Sequence, residues 1–442
     1  MNKSLIILAL LLLPLFLFYG LCLASESNND IMTLQMAIDL AIENNTLIRE
    51  AIERQKAAME AEKSARADFF PKASVTYSYT RLDEAPFSYF QTALGKSKID
   101  VGEKDNFHWD ITVTQPLFTG FSLSTLHKMA KLGIDIAALQ KEEAVLDVSE
   151  QVKLAYFNIL LAKKMVLVAE EEVEQLAAHE MDAEKFYKEG MIPFNDLLKS
   201  KVALAQAVQN LTRARSDMDV AVASLNTILR REIDKKTEVE DILEIRPQVY
   251  ILPDLYREAL RKRPGLKALR VSLKNAQYQV GLARSSFYPQ IALVGRYERN
   301  GDNPDASNND FGNYDSGSVT FQVTWNFFEW GKKVAETRKA IYEKRSLEEK
   351  LKRLEDQVKL QVKQAYSSLR VAEKNINTAT EALAQAKENF RITNLRYQQQ
   401  MTTSTEVLDA RAFLTQAEAN YYRALYGYRM ALAELERALG RK

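Results

Sequence analysis

The feature that most limits how this chain can fold is an internal duplication. "ARADFFPKASVTYSY" begins at Ala65 and "ARSSFYPQIALVGRY" at Ala283. Aligned on Pro71 and Pro289, the two stretches lie 218 residues apart. "QVKLAY" at Gln151 and "QVKQAY" at Gln361 lie 210 apart, and that spacing persists to the end of each copy. It pairs Tyr187 with Tyr397, Met191 with Met401, Asp196 with Glu406, Leu198 with Leu408 and Leu229 with Leu439. The change of spacing falls between two strand-like segments, where loops tolerate insertion. Any architecture must therefore be assembled from two copies of one unit.

Each copy predicts a helix, Thr33–Asp68 and Pro253–Ser286, stopped by Pro71 or Pro289. Two strands separated by a polar loop follow. In "KASVTYSYT", Ala73, Val75, Tyr77 and Tyr79 face one way, and Ser74, Thr76, Ser78 and Thr80 the other. Trp109, Ile111 and Val113 alternate with Asp110, Thr112 and Thr114; Val319, Phe321, Val323 and Trp325 alternate with Thr320, Gln322 and Thr324. Strands of about ten residues with aromatic ends and one polar face suit an outer-membrane barrel, although a half-buried soluble sheet has the same period of two. Next comes a long helical pattern: no proline and only Gly133 between Phe121 and Tyr187, and neither glycine nor proline between Lys332 and Tyr426. Rich in Lys and Glu, such helices lie in water and pack sideways on one another. Gly190 and Pro193 end the first, and Phe194–Arg230 runs back. "QQQMTTSTE" holds the matching place in the second copy, where the repeat and its threonines predict the turn.

The N-terminus stands apart. Lys3, the apolar run "LIILALLLLPLFLF" and the polar "ASESNND" form an export signal with a cut after Ala24. The only cysteine, Cys22, lies inside it; Leu21 before it argues against lipidation. The expected organisation is a signal over 1–24, a first repeat over 25–231 with hairpin 72–118, a linker over 232–252, and a second repeat over 253–442 with hairpin 290–328. With 60 Lys plus Arg against 59 Asp plus Glu, the net charge of +1 gives no reason to expect nucleic-acid binding.

Four strands cannot close a barrel, and an open sheet edge is not tolerated in lipid. The chain is expected to pool its strands with copies of itself: two copies would give eight strands, three would give twelve and room for a pore. The long polar helices should project from the bilayer on the periplasmic side. An exported coiled-coil scaffold or periplasmic adaptor with a soluble β domain is the alternative.

The doubled Ala-Arg-x-x-Phe-aromatic-Pro, "QPLFTG" at Gln115, the Tyr187-x-x-Gly190 turn and "STEVLDAR" at Ser404 occur in an order that resembles the TolC-type outer-membrane efflux proteins, from about Thr33 to Leu439. That resemblance implies a mainly α protein with a transmembrane β-barrel. Twelve strands from a homotrimer would continue into a long periplasmic α-helical barrel. It further implies a passive exit duct for tripartite efflux or type I secretion, docked to a periplasmic adaptor (membrane fusion) protein and an inner-membrane pump of RND or ABC type. No cofactor is implied.

The resemblance also assigns residues. The turns Gly190–Leu198 and Gln400–Asp409 correspond to the periplasmic tip. Glu406 and Asp409 stand where the family has carboxylates lining the constriction; as rings they would attract cations. Asp196 and Tyr397 match positions that tie the tip shut, here by an expected phenol–carboxylate hydrogen bond. Thr402 replaces the relatives' arginine, so the tie would lack a salt bridge. Adaptor docking falls to Gly190, Met191, Pro193, Leu197, Leu198, Met401, Val407 and Leu408. Pro71, Pro289 and Pro116 mark helix-to-strand corners; Tyr77, Tyr79, Trp109 and Trp325 are expected interfacial aromatics. If the register holds, Arg296 and Glu298 face the lumen. His108, His127 and His179 are isolated, "HEMDAE" at His179 is not a zinc motif, and no nucleophile elbow or phosphate loop is present, so no enzyme is expected. Asn44 and Asn210 fit the glycosylation pattern but fall in predicted helix.

Overall fold

A computed structural model describes residues 31–93, 95–242 and 249–442; the expected signal, with Cys22, lies outside the described residues. The first repeat contains α1 (Leu34–Asn44), α2 (Thr46–Ala67), β1 (Lys72–Arg81), β2 (Phe87–Thr92), β3 (Gly95–Asp100), β4 (Asp105–Phe118), α3 (Ser122–Lys188) and α4 (Phe194–Leu229). The second contains α5 (Leu252–Lys262), α6 (Pro264–Ser285), β5 (Gln290–Gly301), β6 (Asp315–Thr324), α7 (Lys332–Gln398) and α8 (Ser404–Leu439). Both α3 and α7 have 67 residues, which at 1.5 Å rise per residue is about 100 Å. Both α4 and α8 have 36 and run back along them.

The opening helix of each repeat differs from its expected form: it is broken, at Asn45 and at Arg263. Asn45 is extended at φ −64°, ψ 135°, and its side chain caps α2 by accepting from the Leu47 N–H at 2.9 Å. Arg263 precedes Pro264, whose ring disfavours helical geometry at the residue before it while suiting the first turn of the next helix.

Strands β1, β4, β5 and β6 form one antiparallel sheet in that order. The register sets Val75 opposite Ile111, Tyr77 opposite Trp109, Ile111 opposite Tyr297 and Leu293 opposite Phe321, so one face is largely apolar, interrupted by Gln115 beside Leu293 and, towards one end, by Arg299 and Asp315 and by Arg81 and Asp105. The other face carries Ser74, Thr76, Thr112, Asp110, Arg296, Glu298 and Ser318, which places Arg296 and Glu298 on the polar side. Pro71 and Pro289 sit between helix and strand, but Pro116 does not: it pairs with Ala292 inside β4, beside a bulge that ends at Phe118. The corner there is made by Gly120 and Phe121, both left-handed, and by Trp330 and Gly331 at the matching place. A Cβ on Gly120 would lie 2.5 Å from the Ser285 carbonyl oxygen. A second hairpin, β2–β3, occupies the first polar loop and was not foreshadowed by any clean alternation.

Aromatics gather at both ends of the sheet. Tyr77, Tyr79, Trp109 and Tyr297 occupy one end, with Tyr79 stacked on Phe107. Trp325 lies just beyond β6 at the other, donating to the Phe287 carbonyl at 3.1 Å, among exposed Phe327, Phe328 and Trp330. Among the described residues, no helix is long and apolar enough to cross a membrane.

The helical region has two cores, and they are copies. Ala41, Ile48, Val148, Val152, Leu225 and Leu229 fill the first; Ala259, Leu266, Val358, Val362, Leu435 and Leu439 fill the second at equivalent positions. The first is further covered by Val239 of the inter-repeat segment, which bridges to Met32, and the Tyr156 hydroxyl lies 2.9 Å from the Met32 carbonyl oxygen.

Candidate functional site at the helical tip

Both long helices end in the same hydrogen-bonded turn. Gly190 N–H donates to the Tyr187 carbonyl and Met191 N–H to Phe186; Gln400 N–H donates to Tyr397 and Met401 N–H to Arg396, all at 2.8–2.9 Å. This Schellman geometry needs a left-handed residue after the C-cap. Gly190 adopts φ +74° without cost, whereas Gln400 adopts φ +59° with a Cβ. Pro193 then precedes α4, and Thr403 caps α8 by accepting from the Glu406 N–H. Thr402 donates to the Glu406 carboxylate, fixing its direction.

The residues expected at the tip fall into two sets. Glu406 and Asp409 are exposed, three apart on one face of α8, as are Met191, Met401 and Leu198. Leu197 and Val407 are buried instead and pin the turns to the helices behind them. Asp196 is half-buried, 3.4 Å from Lys199 Nζ.

The expected Asp196–Tyr397 hydrogen bond does not form. Tyr397 is only 2 % exposed and points into the helix packing, where its ring lies 4.7 Å from His179 and 5.5 Å from Phe186. Its hydroxyl lies near Ser404 without a well-formed hydrogen bond, and burial raises its pKa. Packing, rather than a polar tie, holds this residue.

What the sequence did not disclose is a buried polar node beside Tyr397. His179 Nε2 lies 2.8 Å from Ser404 Oγ, and Ser404 Oγ 3.1 Å from Ser200 Oγ. All three side chains are buried, and burial lowers the His179 pKa. Further along, Arg411 is 1 % exposed with its guanidinium nitrogens unbonded; Glu418 lies 3.6 Å away and Phe390 lies under the cation. Neither group follows a spacing rule. The other histidines do not join the node: His127 faces Glu62 at 3.5 Å, and His108 faces Asn300 at 2.7 Å in the sheet. Among the described residues no cluster of His, Cys, Asp and Glu could hold a metal ion.

A four-stranded sheet with an exposed, largely apolar face, joined to helices about 100 Å long that end in a paired turn, suits an outer-membrane channel subunit. The chain belongs to the family described as outer membrane efflux protein, which matches residues 37–229 and 255–441. It is 25% identical over 410 residues to the alkaline protease secretion protein AprF of Pseudomonas aeruginosa, covering 90% of this chain and 82% of that one. It is 22% identical over 407 residues to the outer membrane protein TolC of Vibrio cholerae, covering 90% and 89%. The fold matches a crystal structure of CusC with a TM-score of 0.77 at 16% identity, over 92% of each chain. The protein is an outer-membrane channel component of the efflux class, with its helical part in the periplasm of a Gram-negative bacterium.

Proposed function

We propose that three copies close one twelve-stranded barrel, continued by a helical tunnel whose tip is the gate of a passive exit duct. The observation that carries this reading is the pair of unfinished edges: β1 and β6 each pair on one side only, while the sheet's apolar face is exposed. Four strands cannot seal against lipid, whereas joining β6 of one copy to β1 of the next removes both edges and leaves the polar face around a lumen. In this arrangement Tyr77, Tyr79, Trp109 and Trp325 lie at the lipid interfaces.

The turns carrying Gly190, Met191, Pro193, Leu198, Met401 and Leu408 would meet a periplasmic adaptor, with Leu197 and Val407 shaping them from behind. An inner-membrane pump of RND or ABC type would supply the energy. Glu406 and Asp409 would form carboxylate rings at the constriction, and Asp196, Tyr397 and Thr402 would shape the closed tip by packing and local hydrogen bonds. No catalytic step is assigned to the chain. Its mature form would begin after Ala24 as repeats 25–231 and 253–442 joined by 232–252.

Mild detergent extraction of outer membranes followed by native mass spectrometry tests the assembly. Three chains per particle are expected, and a short amine-reactive cross-linker applied to the extracted particle should give covalent dimers and trimers. A fully folded monomer without cross-links would overturn the duct. In planar bilayers, Glu406→Gln with Asp409→Asn should lower cation selectivity; an unchanged reversal potential would remove these residues from the constriction.

A further inference from the structure

The buried node at the tip joins the two repeats. His179 belongs to α3 and Ser200 to α4, the hairpin of the first copy; Ser404 begins α8 and Tyr397 ends α7, the hairpin of the second. Sliding one hairpin past the other must break the His179–Ser404 hydrogen bond and lift Tyr397 off the imidazole.

The hydrogen-bond directions choose the tautomer. Ser200 donates to the Asp196 carbonyl at 3.1 Å. Ser404 can then donate to Ser200, and His179 Nε2–H to Ser404, so that each donor in the chain has an acceptor. His179 Nδ1 is left as a buried lone pair without a partner. A second proton would have to sit there, making a buried cation whose new N–H meets no acceptor, which is costly in a packed interior.

The surrounding groups do not offset that cost. From α3, the Asp182 carboxylate favours the cation, but burial outweighs it. From α7, Tyr397 presents a neutral phenol whose pKa burial raises. From α4, Asp196 is engaged by Lys199. From α8 comes only Ser404, because the Glu406 carboxylate is turned onto Thr402.

We propose that His179 is an acid-sensitive latch between the two helical hairpins, closed while its ring is neutral and released when the ring is protonated. The idea rests on the duct reading above. In the closed tip the imidazole pKa is depressed, and in the released tip it returns to the ordinary histidine value of about 6.5. Protons therefore bind the released form better. Below about pH 6.5 each further unit raises the released-to-closed ratio by up to about tenfold per chain, until the closed ring itself titrates.

The test is open probability of the detergent-extracted, full-length protein in planar bilayers, with the tip side taken from about pH 7.5 to about pH 5. Wild type should open progressively. His179→Asn should give a flat profile, because asparagine, the residue at the matching position 389, can donate to Ser404 and does not titrate. A flat wild-type profile, or the same slope in His179→Asn, overturns the latch. Leu197→Asp, which buries an unpaired carboxylate in the tip, separates the two readings. Current through it beside a pH-flat wild type overturns the latch alone, whereas no current under any condition through wild type, His179→Asn or Leu197→Asp, each shown by circular dichroism to be folded, overturns the duct and the latch together. As a second measurement, hydrogen exchange over Phe194–Ser200, corrected for intrinsic rate, should accelerate in acid for wild type and not for His179→Asn. Equal behaviour of the two overturns the latch.

Discussion

Asn45 and Arg263 occupy the same place in the two repeats and do the same work with different chemistry. Asn45 Nδ2 donates to the Ile228 carbonyl at 2.9 Å, and Arg263 Nη1 donates to the Ala438 carbonyl at 3.4 Å. Ile228 and Ala438 are themselves equivalent, near the ends of α4 and α8. Each helix break thus supplies a donor to carbonyls that a helix C-terminus leaves unpaired.

Asn45→Ala should destabilise the chain by about 1–2 kcal/mol, because it removes both this donor and the cap on Leu47. Arg263→Ala should cost more, since it also removes a half-buried pairing with Glu143 at 3.6 Å. Urea midpoints of the purified protein measure both; a neutral Asn45→Ala would show that the break is held by packing alone.

At the tip, Gln400→Gly should be stabilising. The left-handed residue there carries a Cβ at a position where the first repeat uses Gly190. Relief of that strain is expected to contribute about 1 kcal/mol, partly offset by the extra freedom of glycine in the unfolded chain. Hydrogen exchange near Met401 should slow, and faster exchange would contradict the strain argument.

Tyr397→Phe should leave resting conductance unchanged, because the hydroxyl it removes makes no well-formed hydrogen bond in the packed tip. Tyr397→Ala, by contrast, opens a cavity beside His179 and should cost about 3–5 kcal/mol, with increased leak. A leaky Tyr397→Phe channel would restore the polar tie.

The Arg411–Glu418 pair is buried with poor hydrogen bonding, so its charges cost more than their attraction returns. Removing one partner, as in Glu418→Ala, should destabilise by about 3–5 kcal/mol, whereas Arg411→Met with Glu418→Leu should be neutral or stabilising. Thermal unfolding of the three proteins decides it, and a double variant as weak as the single one would refute the reading.

Acid should weaken the end of α8 through Glu258. Arg441 donates to both its carboxylate oxygens, and with Lys262 this lowers its pKa from 4.5 to about 2. The contribution is complete above the unfolded value and fades as pH falls from about 4.5 through about 2. After allowance for solvent screening it amounts to about 1–2 kcal/mol. Glu258→Gln should lose that stability at neutral pH and flatten the acid limb of the urea midpoint; an unchanged acid limb would count against it.

Much of this architecture was legible without coordinates. The repeat spacing announced two copies, the period of two in β1, β4 and β6 divided polar from apolar faces, and the absence of helix breakers announced α3 and α7. Pro116 misled, because proline also suits a bulge inside a strand. The tip turns were found from the repeat, since "QQQMTTSTE" has no glycine or proline of its own.

Whatever depends on neighbours along the chain can be read before folding: period, helix length, caps, and the duplicated plan that carries them. That Asn45 breaks a helix to reach Ile228, that Tyr397 turns inward, and that His179 meets Ser404 emerges only in the packed chain. Those choices join residues nearly two hundred or more positions apart. Their free energy comes from burial and hydrogen bonding in the packed state, so no local pattern records them.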